Sequence, residues 1–145
     1  MSKADEAEAT FKSGCNCSQA VLSAFAAESG LDKMTVLKIA SGFGGGIGHM
    51  AQTCGAVTGA VMVIGLKNNM SFEKPYEFNQ KNYDMIGRLI AEFNRRNGSI
   101  MCKDLVKVDF ADEESYRKAR KEGIFYTVCP KLVNDAVQIV EELYK

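Results

Sequence analysis

The sequence predicts an all-α fold, a compact multi-helix bundle around a central glycine-rich helix, and three observations carry that expectation. Apolar residues recur at three- and four-residue spacing, as in Phe78, Met85, Ile86, Leu89, Ile90 and Phe93, which is the period of one helix face. Residues that cap helices precede such segments, and glycines follow them: Asn16 and Gly30, Pro75 and Gly98, Asp112 and Gly123. No segment alternates apolar and polar residues as a half-buried strand would. With 145 residues and no linker, the chain reads as a single domain over 1–145, large enough to bury a core without disulfide staples.

Taken in order, Ala4 to Phe11 has helix-forming composition and runs into a turn at Lys12-Ser13-Gly14. Asn16 with Gln19 three residues later makes a capping box, opening a helix with Ala20, Val21, Ala24 and Phe25 inward and Gly30 as its stop. Asp32 caps a short second helix carrying Met34, Leu37, Ile39 and Ala40.

The stretch Ser41 to Leu66 follows, SGFGGGIGHMAQTCGAVTGAVMVIGL, with eight glycines in two settings. The first five fill a loop. From Met50 onward Ala51, Cys54, Gly55, Thr58 and Gly59 recur every three or four positions, so on a helix they form one small-residue face open to close approach by another backbone. Each interior glycine costs about 1 kcal/mol against alanine, and a packed partner on that face would offset it.

Pro75 sits where a first helical turn tolerates proline, and the helix from Tyr76 to Arg96 ends at Gly98. Ser99 is read as the cap of a short helix through Cys102 and Leu105. Asp109 or Asp112 starts the charged segment DEESYRKARKEG, read as a solvated face. Thr127 is read as the cap of the last helix, with Pro130 in its first turn and Leu132, Val133, Ala136, Val137, Val140 and Leu143 as its buried stripe.

Eighteen basic residues balance eighteen acidic ones and the pI is near 6.6, which argues against nucleic acid as a partner. The apolar run Ala56 to Leu66 is too short for a membrane span of about 20 residues, and the charged start MSKADEAEATFK lacks a signal-peptide core. A cytoplasmic protein is the expectation. Five cysteines there point to metal ligation, redox chemistry or plain burial rather than structural disulfides.

The thiols recur in one local setting. Cys17 follows the Asn16 cap, Cys102 follows Ser99, Cys129 follows Thr127, and Cys54 falls just after the glycine loop. Helix starts favour a thiolate through their free N–H groups and dipole, the form that binds metal or attacks a disulfide. The close Cys-x-x-Cys pairs usual for structural zinc are absent. Gly46-Ile47-Gly48-His49-Met50-Ala51 matches a loose dinucleotide fingerprint without the strand it needs. No Walker lysine follows the loop, and His49, the sole histidine, is read as a loop residue near Cys54.

The segments FKSGCNCSQAVLSAF and ASGFGGGIGHMAQTCGAVTGAVMVIGL, with Cys102 and the Cys129-Pro130 pair, resemble the redox-active family named C-GCAxxG-C-C after its cysteine motifs. The resemblance covers the chain from about Ala7 onward. It implies that Cys17, Cys54, Cys102 and Cys129 are the family cysteines, with Cys15 an extra thiol or a fifth ligand. The family label has Gly-Cys-Ala where this chain has Cys54-Gly55-Ala56. A relation of some members to the amino-terminal part of split-Soret cytochromes associates the site with an iron–sulfur centre. Covalent haem is not expected, because Cys-x-x-Cys-His is missing.

Three functions follow as expectations. In the first, Cys17, Cys54, Cys102 and Cys129 hold a metal centre, a two-iron (2Fe-2S) cluster or zinc, for electron transfer to a redox protein partner, while Gly44, Gly45, Gly46 and Gly55 let backbone amides approach it. In the second, Cys17 and Cys54 are the catalytic pair of a thiol–disulfide oxidoreductase. In the third, the chain is a helical interaction module, including self-association as a homo-oligomer, with buried cysteines.

Overall fold

Eight helices and no strand make up the chain: α1 (Lys3–Lys12), α2 (Cys17–Ser23), α3 (Lys33–Ala40), α4 (Gly55–Lys67), α5 (Pro75–Asn97), α6 (Cys102–Val106), α7 (Glu113–Lys121) and α8 (Ile124–Leu143). This computed structural model describes residues 1–145. No helix is long and apolar enough to cross a membrane.

The core lies where α2, α4, α5 and α8 meet, around Val21, Phe25, Val57, Ile64, Leu89, Phe93, Val133 and Val137, all fully buried. α2 packs chiefly on α4, α1 lies along α8, and α5 bridges α4 and α8. Two glycines set the α2–α4 spacing. A Cβ at Gly59 would lie 2.9 Å from Val21 Cβ and 3.0 Å from the Ser18 carbonyl oxygen, and one at Gly55 would lie 3.0 Å from the Ser18 nitrogen. The Gly59 separation is shorter than a side chain tolerates and the Gly55 ones are tight enough that a neighbour would have to give, so small residues at both positions let the helices meet closely.

Polar groups fix the outer helices. Arg96 on α5 reaches Glu142 at 3.0 Å and Asp135 at 3.7 Å on α8, and Lys131 pairs with Asp135 at 2.6 Å. Glu92, facing Arg95 and Arg96, is held down to about 2 by the hydrogen bonds they donate.

Several boundaries differ from the sequence reading. The Asn16–Gln19 capping box forms in full, but α2 ends at Ser23, and the chain runs on to the left-handed Gly30 through turns closed by bonds such as Phe25 N–H to the Leu22 carbonyl. The central helix starts at Gly55, with Cys54 as its N-cap, not near Met50. Residues 45–49 and Ala51 preclude an earlier start, because Gly45, Gly46, Ile47, Gly48, His49 and Ala51 all have φ between 57° and 75°. Met101, not Ser99, is the N-cap of α6, although the Ser99 hydroxyl accepts from the Met101 N–H at 2.9 Å. Asp112 caps α7.

The last helix departs most. It begins at Ile124 behind Gly123, and Thr127 is inside it, its hydroxyl donating back to the Gly123 carbonyl. A threonine hydroxyl bonded to the carbonyl four residues back serves a helix interior rather than capping it. Pro130 therefore sits inside α8, and its missing N–H leaves the Tyr126 carbonyl without the usual i+4 donor.

Candidate thiol site

A cavity of about 200 Å³ lies among α2, α4, α6 and α8, and Cys17, Cys54, Cys102 and Cys129 all line it. Cys54, Cys102 and Cys129 are 3%, 9% and 7% exposed; Cys17 is half-buried. Of the loop and helix glycines, Gly45, Gly46 and Gly55 reach the cavity wall. Gly44 does not; its α-hydrogens face the Asn16 side chain, which a Cβ would strike at 2.5 Å. Cys15 is half-buried and lies off the cavity.

Two different constructions bring the sulfurs together. The starts of α4 and α6 are tied by main chain: Cys54 N–H donates to the Ile100 carbonyl at 2.7 Å and Cys102 N–H to the Gln52 carbonyl at 2.6 Å. Thr53 and Met101 between them form an isolated antiparallel bridge. Cys17 and Cys129 have no such main-chain tie; the packing of α2 on α8 brings both to the cavity wall. Cys17 is placed by the Asn16 cap, whose Oδ1 accepts from Gln19 N–H at 2.9 Å and whose Nδ2 donates to the Ser41 carbonyl at 3.1 Å. Cys129 is the sixth residue of α8, so its position follows from core packing of that helix and not from a helix start.

The electrostatics run against the thiolate expectation. The neighbouring Cys129 thiol, then burial, holds the Cys17 thiol well above its ordinary range. Burial pushes Cys54 up to about 12, the nearby Ala56 and Val57 N–H groups acting in the opposite direction. Burial likewise raises Cys102 to about 11. Only Cys129 is lowered, the neighbouring Cys17 thiol favouring its charged form against burial. Helix starts do deliver N–H groups to sulfur, but desolvation of the charged form outweighs them.

The rest of the wall is apolar and aromatic. His49, on the left-handed loop, stacks on Phe110 with ring centroids 4.5 Å apart and meets the edge of Tyr116 at 4.7 Å. Phe110 and Tyr116 each pack on Phe125 at 5.7 Å, and all four rings line the cavity. The sequence gives little sign of this wall. Its rings come from separate segments of the chain, and Tyr116 belongs to one whose other side chains are mostly solvated. No group of three or more histidine, cysteine, aspartate or glutamate side chains is arranged to hold a metal ion.

An all-helical domain with four thiols on one largely apolar cavity defines a class of thiol-centred proteins. A family model described as "Putative redox-active protein (C_GCAxxG_C_C)" matches residues 15–143. The chain belongs to that family. No curated protein and no solved structure matches it.

Proposed function

We propose that Cys17, Cys54, Cys102 and Cys129 are the ligands of an iron–sulfur cluster of the two-iron type, and that the protein carries electrons to a redox partner. The observation that supports this reading is the donor set: four thiols and no carboxylate on one cavity wall. All-thiolate sets suit iron–sulfur clusters. The main-chain tie of Cys54 to Cys102 would hold one pair of thiols, and α2 and α8 would bring Cys17 and Cys129 as the other. A single zinc ion, with four bonds of about 2.3 Å, is the alternative occupant of the same four thiols. The cluster, when bound, would supply a one-electron redox couple; the chain would supply the ligands and an aromatic wall that limits water.

Loading requires the neutral thiols to lose their protons. Anaerobic reconstitution with ferrous iron and sulfide is expected to give a brown protein with iron and acid-labile sulfide near two each per chain. A colourless, iron-free product would refute the cluster, and zinc found in its place by metal analysis would redirect the site to a structural role.

A further inference from the structure

We propose that the cavity is a binding site for a small, uncharged molecule of one aromatic ring, held beside His49, Phe110, Tyr116 and Phe125 with one edge toward the thiols. Those four side chains form one continuous cluster, with neighbouring centroids between 4.5 and 5.7 Å apart. Phe110, Tyr116 and Phe125 are half-buried and His49 is exposed, whereas Cys54, Cys102 and Cys129 are buried. His49 and Phe110 also border a second depression at the surface, beside Lys103 and Lys107. The rings therefore stand at the end of the cavity nearer solvent, with those thiols deeper. Helix α8 spans the two ends: Phe125 and Cys129 lie four residues apart on it, so they share one face and are separated by about 6 Å along the axis.

Size, charge and polarity each narrow the ligand. At about 200 Å³ the space exceeds an engineered apolar cavity of about 150 Å³ that stays dry and takes up benzene, so one ring with a small substituent fits. No aspartate, glutamate, lysine or arginine lines it, and an ion entering would lose its hydration without gaining a partner. No buried side-chain nitrogen or oxygen lacks a hydrogen bond, so nothing deep in the cavity calls for a polar ligand. Aromatic side chains favour a further ring in offset or edge-on contact. The cluster thus selects what can approach the sulfurs: a flat, neutral molecule about one ring wide. This inference concerns the chain's own apolar space and does not rest on the iron–sulfur reading.

The test titrates the full-length, reduced, metal-free protein with toluene and follows it by NMR. Saturable shifts are expected at the Phe110, Tyr116 and Phe125 amides, with nuclear Overhauser contacts from toluene to the Leu105 and Val106 methyls that line the same cavity. Cyclohexane, of like size without a π face, should bind about fivefold more weakly, and tetramethylammonium not at all. Leu105→Trp, which fills the space from a half-buried wall position, should abolish binding while the helical circular dichroism is retained. If that variant does not fold, the Overhauser contacts in the native chain decide. Shifts that fail to saturate, or contacts confined to other surfaces, would overturn the site. Equal binding of cyclohexane would overturn the aromatic class, and binding of tetramethylammonium the neutral one. Iron and sulfide uptake is measured on a separate portion: a chain that binds toluene but no iron keeps this site and loses the cluster, and the converse result does the reverse.

Discussion

The two halves of the thiol site are held by unlike means. On one side Cys54 and Cys102 are fixed by paired backbone bonds between the starts of α4 and α6, and no side chain has to be chosen for that contact to form. On the other side Cys17 and Cys129 reach one cavity because α2 lies close against α4 and α8, a fit that depends on the small residues Gly55 and Gly59 and on the Asn16 cap. The backbone half should therefore persist through many substitutions and through loss of metal. The packed half should respond to each change in helix spacing or protonation.

Four measurements break or sharpen that contrast. Gly59→Val drives a methyl into Val21 and the Ser18 carbonyl and is expected to destabilise by about 3 kcal/mol, read from urea denaturation. Hydrogen exchange of this variant should remain slow at the Cys54 and Cys102 amides while Cys17 alkylates faster. If those amides lose protection first, the two halves are not independent.

The second measurement is a pH series on the reduced, metal-free protein. Cys54 and Cys102 have raised values in the folded chain, about 12 and about 11 against 9.0 unfolded, so above pH 9 the unfolded state binds fewer protons than the folded one. Their contribution to stability is full below pH 9 and is lost as pH rises toward 12, by up to about 1.4 kcal/mol per pH unit for each thiol. Cys54→Ala should flatten that fall.

Third, Asn16→Ala removes the cap and the bond to Ser41, and is expected to cost about 1 kcal/mol in thermal denaturation while quickening alkylation of Cys17 but not of Cys102. The smallest effect is a control on the same helix. Gly65 has nothing within 4 Å of a would-be Cβ, so Gly65→Ala should stabilise by about 0.5–1 kcal/mol, the opposite sign to Gly59→Val.

Much of this architecture is readable from residues alone, because it depends on local chemistry. The Asn16–Gln19 box, the Asp32 cap, Pro75 at a helix start and left-handed Gly98 at a helix end are settled within a few residues of themselves. The small-residue spacing of Gly55 and Gly59 likewise foretells a close helix contact. What is not readable is whatever depends on distant partners. Thr127 and Pro130 look like the opening of a helix, yet α8 begins earlier, because the left-handed Gly123 already supplies a break and the threonine hydroxyl can bond backward. The Thr53–Met101 bridge joins segments with no strand pattern. The charge state of the thiols is hidden for the same reason: a helix start is visible in sequence, but the burial that overrides it is not.

Gly45 carries a last implication. Its missing side chain is the seat on which His49 rests, since a Cβ there would stand 2.5 Å from the imidazole Nδ1. An alanine at that position would push the ring off Phe110 and disturb the aromatic wall that it shares with the four cysteines. The smallest residue in the loop thus fixes the stance of the chain's one histidine.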